Sequence, residues 1–327
     1  LSYTIFITAP SLHADGVAIL ENAGCRLIYL EKGGDEAAVD RIMGENPVDA
    51  VISRTVNLSG KAIANCQTLK VVSKHGVGVS NIDVAAATAR NIPVFVTPGA
   101  NAQSVAEMAL GLLLASARRI AWMDQEIKSG RWSRAQDGVE LQGRTLALVG
   151  FGQIGQRLAW ACLALGMKVV AYDPGFSLKS PIEGVPMMSS LDELLPLSDV
   201  LSLHIPLTAQ TRGLIGRDAF PKLPDDAILI NTARGEVVDE AALIDALREG
   251  KLYAAGLDTT AEEPIAPGNP LLALSNVVLT PHVGGSTPAA LAAMARGAAD
   301  NVLGFLSGAR PPQSACVNPA TMQSIKE

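Results

Sequence analysis

Residues 144–173 read RTLALVGFGQIGQRLAWACLALGMKVVAYD, and this stretch decides the fold. A short aliphatic run, TLALV, leads into Gly150-Phe151-Gly152-Gln153-Ile154-Gly155. A helix opens at Gln153, and a second aliphatic run, KVVAY, ends in Asp173. A G-x-G-x-x-G alone is weak; here it lies between a strand and a helix, with an acidic residue about 20 positions on, the full context of a dinucleotide site. Gly150 permits the tight turn, Gly152 lets a pyrophosphate approach the backbone, and Gly155 lets helix and strand pack closely. The N–H groups around Gln153 and Ile154, at the positive end of the helix dipole, face the phosphates. Asp173 accepts hydrogen bonds from ribose hydroxyls and repels a 2′-phosphate, so NAD is expected over NADP.

The same alternation extends outward. Strand-like runs at Tyr3–Ala9, Arg26–Leu30, Asp49–Ser53 and Leu69–Ser73 alternate with helical stretches in a first α/β block ending near Pro93–Gly99. Residues 102–130 read as one long helical stretch with a wide apolar face, suited to a core or to a second subunit. Beyond Asp173, strands are expected at Val200–Leu203, Ala227–Ile230, Ala254–Leu257 and Val277–Leu279. A helix is expected over Glu240–Arg248, and a helical tail runs from Thr287 to about Leu306. Strands alternating with helices predict parallel sheets with right-handed crossovers, and 327 residues suit two domains.

Composition narrows the partners. Hydrophobic residues make up 48% of the chain and charged residues 18%, a globular balance. Net charge is −6 and no Lys/Arg block occurs, so neither nucleic acid nor an anionic membrane is an expected partner. No apolar run approaches the roughly 20 residues of a membrane span. Leu1–Ala9 reads as a strand and not a secretion signal. Cys25, Cys66, Cys162 and Cys316 are too scattered for metal-ligand spacing or a disulfide framework, so no metal and a cytoplasmic location are expected.

A glycine fingerprint does not specify chemistry. Reduction of a 2-oxo acid needs a cation for the carboxylate and the developing oxyanion. It also needs a proton donor, for which His suits neutral pH, and a carboxylate to orient that His. His13, early in the chain, reads as a surface residue. His204 follows Val200–Leu203, and His282 follows Val277–Leu279 within Thr280-Pro281-His282-Val283-Gly284-Gly285. Both stand at the C-terminal edge of a parallel sheet, where ligands bind; spacing leaves the two even. Arg234, in Asn231-Thr232-Ala233-Arg234-Gly235, is the candidate cation. Glu263 is the candidate carboxylate, with Glu262 beside it competing.

HGVGVSNID (75–83), NAQSVAEMALGLLL (101–114), VGFGQIG (149–155), HIPLT (204–208), NTARGEVVDE (231–240), GLDTTAEEP (256–264) and TPHVGGST (280–287) occur in an order that resembles the D-isomer-specific 2-hydroxyacid dehydrogenases. The likeness covers nearly the whole chain and is greatest to the 3-phosphoglycerate branch. It implies two Rossmann-like parallel-sheet domains. A flavodoxin-like substrate domain would be formed by 1–98 and 287–327, an NAD-binding Rossmann domain by 99–286, and the active site would lie in the cleft. It implies Arg234 as substrate binder, His282 as proton donor or acceptor, and Glu263 as its partner. His204, Pro206, Thr208, Thr232, Ala233, Gly284, Gly285 and Val105 would join the glycine turn, Arg234 and His282 on the cofactor, with Asp258 near the nicotinamide carboxamide. The loop Gly76-Val77-Gly78 would offer N–H groups to the substrate carboxylate. A homodimer through the region 102–120 and a small 2-hydroxy or 2-oxo acid as substrate are further implications.

Some positions depart from the family pattern. The common D-V-F is Asp258-Thr259-Thr260 here, which makes the nearby wall smaller and more polar. The Arg and small residue often found before the Gly-x-Gly loop are Lys74 and His75. With Arg54 they suggest a cationic pocket for a second anionic group, a phosphate, sulfonate or carboxylate. Hydroxypyruvate/glyoxylate reduction and oxidation of sulfonated hydroxy acids are therefore alternatives to 3-phosphoglycerate. Formate-specific members carry Gln in place of the catalytic Glu, against which Glu263 argues. The short stretch after His282 is not expected to hold a regulatory amino-acid-binding domain. A reading of another class is an NAD-sensing corepressor, whose usual long flanking tails are not seen in this sequence.

Overall fold

The computed structural model describes residues 2–134, 138–176, 180–309 and 311–322. The chain divides into two compact units, Leu1–Asn101 with Thr287–Glu327, and Ala102–Ser286.

The first unit holds β1 (Thr4–Ile7), α1 (Ala14–Asn22), β2 (Arg26–Tyr29), α2 (Glu36–Glu45), β3 (Ala50–Ser53), α3 (Gly60–Asn65), β4 (Val71–Lys74), α4 (Val84–Ala89) and β5 (Val94–Phe95). The strands form one sheet in the order β2-β1-β3-β4-β5, the flavodoxin-like order, with all pairs parallel. β3 and β4 are buried along their whole length, as strands covered on both faces must be. Expectation and structure differ at β5, which is only two residues long and has no period to detect.

The second unit holds α5 (Ala102–Ala117), α6 (Ile120–Lys128), β6 (Thr145–Val149), α7 (Gln153–Ala164), β7 (Lys168–Tyr172), α8 (Leu191–Leu194), β8 (Val200–Leu203), β9 (Ala227–Asn231), α9 (Glu240–Arg248), β10 (Leu252–Leu257) and β11 (Val277–Leu279). α10 (Pro288–Leu306) returns to the first unit and packs on α1 and β4. The second sheet runs β11-β10-β9-β8-β6-β7. A single parallel bridge, Ala171 with Met187, stands outside β7 in place of a further strand. Counting it, the order is that of the Rossmann fold, with the reversal between β6 and β8.

The long helix expected over 102–130 is broken. Arg119 adopts a left-handed backbone, φ 51°, and separates α5 from α6. The Ala117 carbonyl accepts the Val139 N–H at 2.9 Å, so a distant segment takes an acceptor that a continuous helix would use itself. The Arg119 guanidinium lies 4.4 Å from the Trp122 ring centroid, a cation–π contact that offsets part of the roughly 1–2 kcal/mol cost of that conformation.

Candidate functional site

Several helices of the chain begin with a side-chain cap. Asp35, Ser59, Asp83, Asp239 and Thr287 each accept an N–H of the turn they precede. α7 begins on Gly152 with no side-chain cap, and nothing lies within 4 Å of the position a Cβ would occupy there. Its first turn therefore presents bare N–H groups to open space, the physical requirement for a phosphate. The neighbouring glycines are closed in. Gly150 has φ 96°, and a Cβ would lie 2.4 Å from the His204 carbonyl oxygen; at Gly155 it would lie 2.4 Å from the Gly150 oxygen. Asp173 ties the turn to β7, its carboxylate accepting Phe151 N–H and Gly175 N–H, both at 2.9 Å.

β8, β9 and β10 end side by side beyond this turn. His204 Nε2 meets Ser202 Oγ at 2.9 Å, while His204 Nδ1 is buried with no partner among the described residues. Burial pushes the imidazole down to about 4, so it is neutral at pH 7. Thr232 Oγ1, at the end of β9, is likewise buried and unpartnered. Unpaired buried polar atoms cost about 1–3 kcal/mol each. Their presence on the edge that carries the uncapped helix fits a bound polar molecule, and these residues suit a dinucleotide such as NAD. Thr211 Oγ1 pins the intervening loop by donating to the Pro206 carbonyl at 2.7 Å and accepting Thr208 N–H at 2.8 Å. Val105, on α5, is buried.

The ends of β9, β10 and β11 carry the three catalytic candidates. Glu263 Oε2 lies 2.7 Å from His282 Nδ1. Both side chains are about 40% exposed, so the contact is open on one side. The other Glu263 oxygen accepts Thr260 N–H at 3.2 Å. Of the two neighbouring glutamates it is Glu263 whose carboxylate meets His282, while Glu262 gives its backbone carbonyl to Thr260 Oγ1 at 2.8 Å. His282 is left-handed, φ 53°. Asp258, 2% exposed, holds that turn. Its Oδ1 accepts Thr280 Oγ1–H at 2.6 Å and Val283 N–H at 3.0 Å, Oδ2 accepts Gly284 N–H at 2.8 Å, and its carbonyl accepts His282 N–H at 2.8 Å. Both carboxylate oxygens thus brace the loop, and Oδ2, with one donor among the described residues, retains an acceptor site. Gly285 follows, half-buried.

Arg234 is not drawn into this pair. Its Nη1 donates to the Ala233 carbonyl at 2.6 Å, and no hydrogen bond joins it to Glu263 or His282 among the described residues. Its turn is set by Asn231, 1% exposed, whose Oδ1 accepts Ala233 N–H at 3.0 Å and whose Nδ2 donates to the Arg234 carbonyl at 2.9 Å. Asn231 carries no role in the sequence reading. The available signal was its place as the last residue of a buried strand, where a polar side chain needs a partner.

In the first unit, the expected cationic trio changes character. Lys74 is buried and its ammonium donates to the Arg54 carbonyl and Asn81 Oδ1, which makes it part of the frame. His75 is buried, and burial together with the Arg54 charge pushes it down to about 4; it is no cation at neutral pH. Arg54, part-buried, keeps its charge although burial lowers its guanidinium from its ordinary value. The Gly76 N–H, expected to be free, donates to Thr97 Oγ1 at 3.1 Å. No hydrogen bond engages the N–H of Val77 or Gly78 among the described residues, and Val77 is exposed.

A Rossmann-ordered sheet with an uncapped glycine turn and a carboxylate–imidazole pair on later strand ends defines a dinucleotide-binding protein of the dehydrogenase kind. The model of the D-isomer specific 2-hydroxyacid dehydrogenase NAD binding domain matches residues 110–284. The chain is 42% identical over 268 residues to D-3-phosphoglycerate dehydrogenase of Archaeoglobus fulgidus, covering 79% of this chain and 51% of that protein. It is 44% identical over 264 residues to hydroxypyruvate reductase of Thermotoga maritima, covering 79% and 85%. A solved structure of a protein from Thermus thermophilus matches with TM-score 0.87 at 36% identity, covering 96% of this chain and 99% of the other. The chain belongs to the D-isomer specific 2-hydroxyacid dehydrogenase family, and its second unit contains that family's NAD-binding domain. It spans about half the length of the curated D-3-phosphoglycerate dehydrogenases it matches.

Proposed function

We propose that the protein is an NAD-dependent dehydrogenase of D-2-hydroxy acids, interconverting them with 2-oxo acids. The observation that carries this reading is the 2.7 Å contact of Glu263 with His282 Nδ1, on the sheet edge shared with the glycine turn. NAD, when bound, accepts or supplies the hydride. The first turn of α7 holds the pyrophosphate, and Asp173 receives the ribose hydroxyls with oxygen lone pairs left over from Phe151 and Gly175. Glu263 accepts a hydrogen bond from Nδ1–H, which leaves Nε2 of His282 to give or take the proton at the substrate oxygen. Arg234 releases the Ala233 carbonyl to bind the substrate carboxylate and polarise the carbonyl.

The substrate reading starts from 3-phosphoglycerate and its 2-oxo product, with hydroxypyruvate, glyoxylate and sulfonated analogues as competitors. Arg54 is the member of its trio that best supports a second-anion reading, because the Lys74 ammonium donates into the frame and His75 is neutral. NADH oxidation with phosphohydroxypyruvate, a sulfonated analogue, hydroxypyruvate and glyoxylate tests both levels. Higher kcat/KM for the dianions supports the Arg54 pocket, equal values exclude it, and no oxidation of any of them refutes the enzyme reading.

The same reading includes a homodimer through the region 102–120. Leu114, Ile120, Ile127, Trp132 and Trp160 are exposed apolar side chains on or beside α5, α6 and α7, a concentration that a second copy would cover. Four free cysteines fit the reducing cytoplasm. No helix among the described residues is long and apolar enough to cross a membrane.

A further inference from the structure

Glu240 is the first residue of α9, and among the described residues no hydrogen bond joins its side chain to a catalytic candidate. Its Oε2 accepts Ala261 N–H at 3.0 Å, and its Oε1 accepts Asn269 Nδ2–H at 2.7 Å. Ala261 lies within the segment that carries Glu263. One residue earlier, Thr260 N–H donates to Glu263 Oε1, while Glu263 Oε2 meets His282 Nδ1. The other side of this segment is closed by Gly235, where a Cβ would lie 2.0 Å from the Thr260 carbonyl carbon and oxygen and 2.4 Å from Ala261 N. The Thr260–Ala261 peptide is thus clamped between the Gly235 backbone and the Glu240 carboxylate.

We propose that Glu240 is a positioning residue for the Glu263–His282 pair, an inference that rests on the functional reading above. It holds the 260–261 peptide in the place from which Thr260 N–H orients the Glu263 carboxylate. The position demands an acceptor on both oxygens. Asn269 commits its own Oδ1 to Leu271 N–H at 2.9 Å, so its amide N–H groups face Glu240. Glutamine would place an NH2 against one of two donors, and turning Asn269 round would abandon Leu271 N–H. Aspartate is one methylene too short to reach both. A helix-terminal role, the ordinary use of an acidic residue in a first turn, would require neither Ala261 nor Asn269.

The test uses Glu240→Gln in the wild-type and Glu263→Gln backgrounds, and Glu240→Gln with Asn269→Asp, reading kcat, KM and the NADH dissociation constant. Glu240→Gln is expected to lower kcat about tenfold, short of the hundredfold that a 1 Å misplacement costs, with KM and NADH binding within about twofold. In the Glu263→Gln background the same change should cost less than about twofold, because the pair it positions is already broken. Asn269→Asp restores an acceptor opposite the new amide and retains one for Leu271, so the double variant should recover most of kcat. An unchanged kcat in Glu240→Gln, an equal loss in both backgrounds, or no recovery in the double variant would overturn the proposal. Should Glu263→Gln and His282→Asn themselves turn over normally, the functional reading fails instead. The two failures are therefore distinguishable.

Discussion

His204 and His282 stand on the same edge of one sheet, after β8 and β11, and have opposite surroundings. His204 is half-buried; its Nδ1 is buried with no partner among the described residues, its Nε2 meets a hydroxyl, and burial pushes it down to about 4. His282 is 44% exposed by side chain, sits on a left-handed backbone held by Asp258, and has a carboxylate at 2.7 Å from Nδ1. Residue type and strand-end position are shared, so neither decides the role. A neutral buried imidazole cannot act as a proton donor at pH 7, whereas it can form a hydrogen bond with a ligand through its orphan nitrogen. An imidazole against a carboxylate has its tautomer set and its other nitrogen directed outward. The difference is what carries the proposed proton-transfer role of His282: its neighbouring carboxylate, not its place on the edge.

The largest effect should separate the two histidines by parameter. His282→Asn is expected to lower kcat by about 10²–10⁴-fold while NADH binding stays within about twofold. His204→Asn should instead weaken NADH binding by about tenfold, near 1.4 kcal/mol, and reduce kcat less. Stopped-flow NADH titration beside steady-state assays checks both, and the comparison breaks if the two variants lose the same parameter. Next in size, Gly150→Ala places a Cβ 2.4 Å from the His204 carbonyl, and a clash of that kind costs about 1–3 kcal/mol of stability. Gly152→Ala meets only open space in the free protein. It should keep the stability of the wild type in urea melts yet lose most NADH affinity.

A smaller effect is the acid sensitivity of the buried histidines. His204 and His75 are each held near 4 in the folded chain, below the ordinary 6.5 of an unfolded histidine. Between those values the unfolded chain binds the additional proton, so stability rises with pH. The contribution of each neutral imidazole is fully present above about 6.5 and is lost as pH falls toward about 4, at up to roughly 1.4 kcal/mol per pH unit. Urea midpoints from pH 7.5 to 4.5 should show this slope, and His204→Gln should flatten it. An unchanged slope would mean that His204 is not held near 4 in the folded chain. The smallest effect concerns the far end of the site. Asp173→Ala should narrow the preference for NADH over NADPH by about tenfold, near 1.4 kcal/mol, with kcat on NADH little altered; both cofactors assayed side by side measure it.

How much of this was legible in the sequence depended on whether the information is local. The turn at Gly150–Gly155 lies in one continuous stretch and Gly155 answers to Gly150 five residues away, although the space at Gly150 is closed by the distant His204 carbonyl. The bond between Glu263 and His282 spans 19 positions, and spacing left His204 and His282 even until the family resemblance distinguished them. The break at Arg119 was hidden because the Val139 N–H that takes the Ala117 carbonyl comes from outside the helix. Lys74 and His75 illustrate the opposite error. Two basic residues in a row suggested a charged pocket, and only burial shows one to be framework and the other neutral.

The sequence by itself determined the parallel α/β architecture and the glycine turn of an NAD-binding domain, because strand patterning and the G-x-G-x-x-G spacing are written within short continuous stretches. It also contained every side chain of the candidate site. Tertiary structure alone decided which histidine meets a carboxylate, that Asp258 braces the His282 turn, and that Glu240 reaches Ala261. Those outcomes follow from the order β9-β10-β11 in the sheet. Hydrogen bonds are made only at about 3 Å, a distance that parallel pairing sets between residues far apart in the chain.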